Sequence, residues 1–370
     1  MEKNGKETAQ FPLSTIYFYI TDGCNLRCKH CWIQPKFTGS AKSCNYISLE
    51  LFKSIIGEAK PLGLKSVKLT GGEPLIHPEI TGMLRFIKDE GLGLTVETNG
   101  TVATGEICRL IAACKNPFVS VSVDGADAAV HEKIRGVEGC FGDAVSGIRA
   151  LAEAGLKPQV IMTLMAENRE QIPPLIDMAK SLNAGSVKIN VVQPTARGEK
   201  MHQAGQTLPV EELIRVGNWV ENELSEEKGI RVMFSHPHAF RPLSRLFGEK
   251  GGGGRGVCHI QNIIGVLGNG KYALCGIGET LPELVFGEAG KDKLEEVWNN
   301  NPVLTELRDG LPSRLGGVCG RCFMNPICLG SCIAQNYFTN RDLWAPFWFC
   351  EEAQNLGLFP ETRLRDEKPQ

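Results

Sequence analysis

Six short runs rich in β-branched and aromatic residues, IYFYIT, SVKLT, LTVET, FVSVSV, QVIMTL and VKINVV, recur between Thr15 and Gln193. Between them lie stretches whose apolar residues keep helical spacing: Leu49 to Lys60, Thr81 to Glu90, Glu106 to Cys114, Ala144 to Ala154 and Gln171 to Leu182. Several begin behind a Ser or Asp able to cap the first turn. Strands joined through helices lie parallel, so the alternation predicts an α/β fold with a parallel sheet or barrel. Such folds place their chemistry on the loops that follow the strands. Here those loops read TDGCNLRC, TGGEP, ETNG and SVDG, rich in the Gly and small polar residues that let a backbone close on a ligand.

Beyond the alternation the pattern changes. A helix from Pro209 to about Glu227 and a strand at Ile230 to Phe234 precede SHPHAFRPLSRLFGEKGGGGRG, which reads as a linker. IIGVL and KYALC then flank Gly268-Asn269-Gly270, a hairpin signal. Seven of the fourteen Cys lie at or beyond residue 258, in a region with few long apolar runs that is expected to need metal to hold its loops. A chain of 370 residues exceeds the ~250–300 at which one core stops growing. The predicted division is a tail at 1–14, a barrel unit at 15–235, a Gly-rich linker at 236–257, a small Cys-rich domain at 258–353 and a charged tail at 354–370, frayed from Pro360 to Gln370.

Lys and Arg number 40 against 42 Asp and Glu, a net charge of −2 that gives no reason to expect nucleic acid as a partner. The first ten residues have no apolar core of a signal peptide, and no apolar run reaches the ~18 residues of a membrane span. The expected location is the cytoplasm, where thiols stay reduced and clustered Cys point to metal.

Cys24, Cys28 and Cys31 form C-x3-C-x2-C in the loop after the first run. Three thiolates so placed can hold three irons of a 4Fe-4S cluster and leave the fourth open. The alternative is a zinc loop completed by His30, although adjacent residues converge poorly on one metal. Trp32 could cover a bound aromatic ligand or pack in the core.

With the aromatic after the last Cys and Gly71-Gly72-Glu73-Pro74 after the second strand, the chain from Thr15 to Gln193 resembles the radical SAM enzymes. The resemblance implies a partial (β/α)6 TIM-like barrel. It also implies an open iron that chelates S-adenosylmethionine and an electron that cleaves the cofactor to a 5′-deoxyadenosyl radical. By the same resemblance Gly71, Gly72, Glu73 and Pro74 belong to the methionyl amino site, Asn99 lies near the ribose, and Ser122 with Arg135 binds the carboxylate. An Arg fork suits that last task, though taken alone an Arg such as Arg135 is more often a surface ion pair and an Asn-Gly such as Asn99-Gly100 more often a turn.

The second set is Cys258, Gly270-x4-Cys275, Cys319-x2-Cys322-x5-Cys328-x3-Cys332 and Cys350. Seven thiols exceed one tetrahedral site and nearly fill two, so two structural zincs are one reading. The spacing is similar to the SPASM domain of radical SAM peptide maturases. This implies two auxiliary 4Fe-4S clusters, with Cys319, Cys322, Cys328 and Cys350 on the second and Cys258, Cys275 and Cys332 on the first. Some members place a further Cys where Ile264 stands, so the first auxiliary cluster lacks a fourth ligand; a substrate thiolate, His259 or water could take it. Cys108, Cys114 and Cys140 read as small buried hydrophobes. Cys44 lies near the cluster loop, and His236 and His238 read as structural groups or as entrants to the site.

The resemblance as a whole implies an enzyme that abstracts hydrogen from a ribosomally made precursor peptide to install a crosslink, oxidation or epimerisation. The opening FPLSTIYFYITDGCNLRCKHCWI is similar to the SynChlorMet-cassette ScmF type. The expected partners are the precursor peptide and a flavodoxin- or ferredoxin-type electron donor; since about fourteen residues precede the first strand, the leader is expected to be recognised either by a separate protein or by the barrel and SPASM surfaces directly. Two alternatives stay open: a tetrapyrrole side-chain modifier of the same superfamily, and an iron-sulfur electron carrier without a substrate of its own.

Overall fold

All six runs form strands in the computed structural model, which describes residues 11–247 and 258–365. They are β1 (Thr15–Tyr19), β2 (Ser66–Thr70), β3 (Gly93–Thr98), β4 (Lys115–Ser122), β5 (Gln159–Leu164) and β6 (Ser186–Val191). Each pairs in parallel with the next, and β7 (Arg231–Phe234) adds a further parallel strand beside β6. The connecting helices are α1 (Leu49–Ala59), α2 (Ile80–Asp89), α3 (Gly105–Ala112), α4 (Ala128–Arg135), α5 (Cys140–Glu153) and α6 (Ile172–Ser181). Ser48 caps α1 and Asp127 caps α4, each side chain accepting from a first-turn N–H. The sequence pattern missed α4, whose eight residues carry too short an apolar stripe to stand out.

Alternate strand residues lie buried beneath the helices: Ile16 and Phe18, Val67 and Leu69, Leu94 and Val96, Val160 and Met162, Val187 and Ile189. The residues between them, Tyr17, Lys68, Glu97, Thr163 and Lys188 among others, belong to the opposite face of the sheet and are only partly buried. One face is therefore a packed core and the other a polar hollow.

The C-terminal region is less separate than its composition suggests. Its hairpin, β8 (Ile263–Val266) and β9 (Lys271–Ala273), is antiparallel as expected, and β10 (Val285–Glu288) follows. But β8 lies parallel to β1, with Gly265 opposite Tyr17. The result is one sheet of ten strands in the order β10-β9-β8-β1-β2-β3-β4-β5-β6-β7. One hydrophobic core runs from Leu13 to Phe359 and includes Tyr272, Trp298 and Phe349, so these loops have large apolar anchors as well as thiols. The end of the expected N-terminal tail is docked too: Leu13 is buried, and Phe11 O accepts from Trp298 Nε1 at 3.1 Å.

The first half of the expected linker is likewise folded. Residues 238–240 form a 3₁₀ turn and Leu243–Phe247 a short helix. Phe240 packs on Phe349 and Phe359, with ring centroids 5.2 and 5.5 Å apart. Buried Glu221 takes Arg241 Nη2 at 2.9 Å and His236 Nε2 at 3.3 Å. His236 is thereby structural, and His238 is buried beside it. Gly251 to Gly254 lie outside the described residues. The expected frayed end is docked as far as it is described. Phe359 is buried, Phe323 N donates to Arg363 O at 2.8 Å, and the Arg365 guanidinium lies 5.7 Å over the Phe323 ring. Composition misled here because a few aromatic anchors outweigh many charges. Among the described residues, no helix is long and apolar enough to cross a membrane.

Candidate active site

The loop after β1 closes through a two-residue ladder, Gly23–Cys24 against Lys36–Phe37. Backbone hydrogen bonds pin it to the end of α4: Arg27 N donates to Arg135 O at 2.9 Å and Lys29 N to Ile134 O at 3.1 Å. Arg197, which no motif pointed to, adds a clamp from Nη1 to Cys28 O at 2.9 Å. Cys24 and Cys28 are buried with Leu26 and Cys140, and Cys31 packs at the rim of this small cluster. Cys140 is thus a buried hydrophobe, but one beside the motif thiols. Leu26 N donates to Cys24 Sγ at 3.4 Å, and Arg135 Nη1 lies 3.5 Å from Cys28 Sγ.

Burial pushes the Cys24 thiol well above its ordinary range, with Glu73 adding to it; burial and then Cys28 raise Cys31. These thiols hold their protons until a metal displaces them. Among the described residues no three His, Cys, Asp or Glu side chains close around one point as the ligands of a single ion do. Thiolates at the corners of a cluster need no such point, and donors aimed at sulfur are what tune clusters. The Leu26 N–H and the Arg135 guanidinium beside the Cys24 and Cys28 sulfurs are donors of that kind. His30 Nε2 is held by Asp124 Oδ2 at 2.8 Å, which makes it part of the Asp124 network.

The loop after β2 fits against this one with no space to spare. Gly71 has φ +125°, and a Cβ on Gly72 would fall 1.9 Å from Gly23 O. The gap is closed by Gly72 N donating to Thr21 O and Glu73 N to Gly23 O, both at 2.9 Å. Only glycine permits that approach. Pro74 opens a 3₁₀ turn that the Glu73 side chain caps. The buried Glu73 carboxylate accepts from Thr98 Oγ1 (2.6 Å), Asn99 N (2.7 Å) and Leu75 N (3.0 Å). Burial nevertheless pushes its carboxyl up to about 6. Asn99 Nδ2 donates to Asn25 Oδ1 at 2.8 Å, which ties the β3 end to the cluster loop. A cavity of about 160 Å³ opens beside these loops, and Thr21, Asp22, Gly71, Gly72 and Glu279 line it.

Asp124 organises the other side. Its buried carboxylate meets Arg135 Nε at 2.7 Å and His30 Nε2 at 2.8 Å, and accepts from Thr163 N at 2.8 Å. Burial opposes its charge, but the Arg135 guanidinium and then His30 hold it well below the usual carboxylate range. Arg135 thus has an internal anion as its partner. Ser122 is half-buried at the end of β4. Neither Arg135, Ser122 nor Asn99 lines the 160 Å³ cavity. Trp32 is partly buried and packs edge-on against Tyr19, centroids 6.5 Å apart. Cys44 sits against Gly23, where a Cβ would meet its Sγ at 2.8 Å. Cys108 and Cys114 lie in the main core.

The C-terminal thiols gather as two groups. Cys319, Cys322, Cys328 and Cys350 together line a cavity of about 20 Å³, closed by Pro237, Met324 and Phe359. Backbone N–H groups of Met324 and Phe347 point at Cys322 and Cys319 sulfurs, each at 3.3 Å. Burial pushes the Cys328 thiol up to about 12. Cys258, Cys275 and Cys332 form the second group: burial, then mutual repulsion, raises Cys258 to about 12 and Cys275 further. Gln335 hydrogen-bonds Cys332. His259 is exposed, and Ile264 is fully buried in β8.

Residues 18–179 match the family model described as Radical SAM superfamily. The chain is 30% identical to the AdoMet-dependent heme synthase of Methanosarcina barkeri over 88% of this chain and 93% of that one. It is 28% identical to the mycofactocin maturase MftC of Mycobacterium tuberculosis over 93% of this chain and 84% of that one. The fold is similar to that of Streptococcus suis SuiB bound to S-adenosylmethionine, with TM-score 0.70, 18% identity, and 92% of this chain and 77% of that chain covered. Three thiols on the loop after β1, a glycine pair sealed against them and relatives matched nearly end to end agree: the chain belongs to the radical SAM superfamily of enzymes, which use S-adenosylmethionine and a 4Fe-4S cluster.

Proposed function

We propose that this enzyme modifies a peptide, and that it carries two auxiliary clusters besides the one that works on S-adenosylmethionine. The observation that carries the reading is the grouping of ten thiols into a trio, a second trio and a quartet around one small cavity. In this reading Cys24, Cys28 and Cys31 hold the first cluster. Gly71 and Gly72 offer backbone to the methionyl end, held in place by Glu73 and Pro74. Asn99 stands toward the ribose, and Ser122 with Arg135 toward the carboxylate. Cys258, Cys275 and Cys332 hold the first auxiliary cluster, and Cys319, Cys322, Cys328 and Cys350 the second. When bound, the cofactor and cluster supply the radical that removes a substrate hydrogen. The protein's part is to orient and to keep water out: Asp124 fixes Arg135 and His30 against the thiol loop, and Leu26 shields the sulfurs. The mycofactocin maturases, matched over 93% of this chain, support a peptide substrate. A precursor peptide, a leader-recognition protein and a flavodoxin- or ferredoxin-type donor complete the reading.

A second reading, modification of tetrapyrrole side chains, is favoured by the 30% identity to an AdoMet-dependent heme synthase. One experiment separates them. Anaerobically reconstituted protein is given S-adenosylmethionine, a reductant and either a precursor peptide encoded beside its gene or an iron porphyrin bearing propionates. The peptide reading expects a mass change in the peptide together with 5′-deoxyadenosine; a change in the porphyrin alone overturns it.

A further inference from the structure

The hollow face of the sheet carries charges outside the cofactor loops, and the field of one of them, Lys68, reaches Cys258 and Cys275. Lys68 on β2 and Lys188 on β6 stand between fully buried apolar neighbours, and Glu97 on β3 between buried Val96 and Thr98, so all three side chains stand on the hollow side. Lys68 Nζ pairs with Glu97 Oε1 at 2.5 Å and lies 4.6 Å over the Tyr17 ring. Thr70 Oγ1 donates to the other Glu97 oxygen at 3.3 Å. The Glu97 side chain is 42% exposed on a strand in the middle of a ten-stranded sheet, so the hollow admits solvent.

Lys188 differs from the other two: among the described residues it has no hydrogen bond and no ion pair, though the field of Glu97, Lys68 and Arg241 reaches it. Arg241 is occupied by Glu221 at 2.9 Å. Among the described residues, Lys68 and Lys188 set two ammonium groups against the one carboxylate of Glu97, which is already paired. An ammonium drawn out of bulk water without a partner is costly, and an anion arriving with a ligand removes that cost.

The place is also chemically informative. Tyr17 lies opposite Gly265 in the register of β1 and β8. A Cβ on Gly265 would stand 2.8 Å from Cys275 Cα. From Cys275 through Tyr17 to Lys68 and Glu97 the groups follow one another across the hollow toward the strand that carries Lys188.

We propose that Lys188, on the same face of the sheet as Lys68, seats a carboxylate of the substrate inside the barrel. The inference rests on the radical SAM reading of the site and names the substrate class that reading leaves open: a carboxylate-bearing molecule, whether an acidic peptide or a porphyrin propionate. Glu97 limits the site to one such group by holding Lys68.

The test is equilibrium binding to the anaerobically reconstituted holoenzyme. The probes are coproporphyrin against its tetramethyl ester, and a labelled Glu-rich decapeptide against its all-Gln counterpart. At least one free-acid probe binds better than its neutral partner, and which one does identifies the source of the carboxylate. Lys188→Gln weakens that binding roughly ten- to a hundredfold, the worth of one charge-assisted hydrogen bond, while Lys188→Arg keeps most of it. Glu97→Gln tightens it severalfold, a direction that structural damage does not produce. Unchanged binding in Lys188→Gln, weaker binding in Glu97→Gln, or no preference for either free acid overturns the proposal. Wild-type protein that forms 5′-deoxyadenosine yet shows no such preference refutes the subsite alone, and wild-type protein that forms none refutes the reading beneath it.

Discussion

Replacing Gly72 by Ala tests the joint between the two cofactor loops. The added Cβ would stand 1.9 Å from Gly23 O and 2.5 Å from Gly23 C, where real Cβ atoms essentially never approach within 3.0 Å. The obstacle is backbone on both sides, so relief requires the loops to part by more than about 1 Å. Parting them stretches the two 2.9 Å bonds from Gly72 N and Glu73 N, at about 1 kcal/mol each. Overpacking adds about 1–3 kcal/mol. The expected loss is therefore about 3–5 kcal/mol, a large part of the ~5–15 kcal/mol that holds a domain together. It is concentrated where Cys24 must be positioned. Gly57→Ala is the control, since its helical site is exposed and a Cβ there meets nothing within 4 Å; it should gain about 0.5–1 kcal/mol. Urea unfolding reads the stability, and iron per chain with 5′-deoxyadenosine yield reads the site. A Gly72→Ala protein with wild-type midpoint, iron and yield would show that the loops are not sealed in this way.

Asp124→Asn strands the buried Arg135 guanidinium and should cost about 3–5 kcal/mol in urea unfolding; a loss under 1 kcal/mol contradicts its role as hub. Changing Cys24, Cys28 and Cys31 together to Ala should remove about four irons and all 5′-deoxyadenosine, whereas Cys328→Ala should lower the iron count and leave the Cys24 site loaded, both read by iron assay and electron paramagnetic resonance. Before S-adenosylmethionine is added, Glu73 carries a folded-state pKa of about 6 against an ordinary 4.5. The folded protein therefore binds the proton more tightly. Its contribution is full below pH 4.5 and fades as pH rises through 6, by about 2 kcal/mol; comparing wild type with Glu73→Gln across that window should isolate the slope.

The strands and the thiols were legible because each is signalled locally. A β-branched run of five or six residues, or a cysteine spacing, needs no knowledge of the rest of the chain. The pairing of β8 with β1 was not legible, since Thr15 and Ile263 meet across the whole barrel and no local pattern encodes that neighbour. The same holds for Phe240 and Phe359, whose burial against each other and Phe349 turns an apparent linker and tail into core. Arg197 and Asp124 act through positions that only the folded loops define. The hollow was a different case, because its signal was present. Parallel strands covered on both faces read as near-continuous apolar runs, whereas Val67-Lys68-Leu69 and Val187-Lys188-Ile189 put a charge between apolar residues. Alternation of that kind in a parallel sheet marks a face that is not packed by helices.

A continuous core changes what the clusters are needed for. A small Cys-rich unit that lacks a core folds only with its metal, because metal binding is then the folding energy. Here Trp298 is fully buried, Tyr272 and Phe349 pack into the core shared with the barrel, and β8 takes its hydrogen bonds from β1. Those contacts are formed by carbon and backbone, not by sulfur. Meanwhile burial raises the Cys24, Cys258, Cys275 and Cys328 thiols, so the chain without iron keeps these sulfurs protonated and neutral. A neutral thiol is compatible with an apolar interior in a way that three or four clustered thiolates are not. In the proposed three-cluster reading the fold therefore stands ready before iron arrives, and loading is a local exchange of protons for metal at thiols already framed by Leu26, Met324 and Phe347 N–H groups. Cluster loading then decides activity and leaves the framework to the sheet.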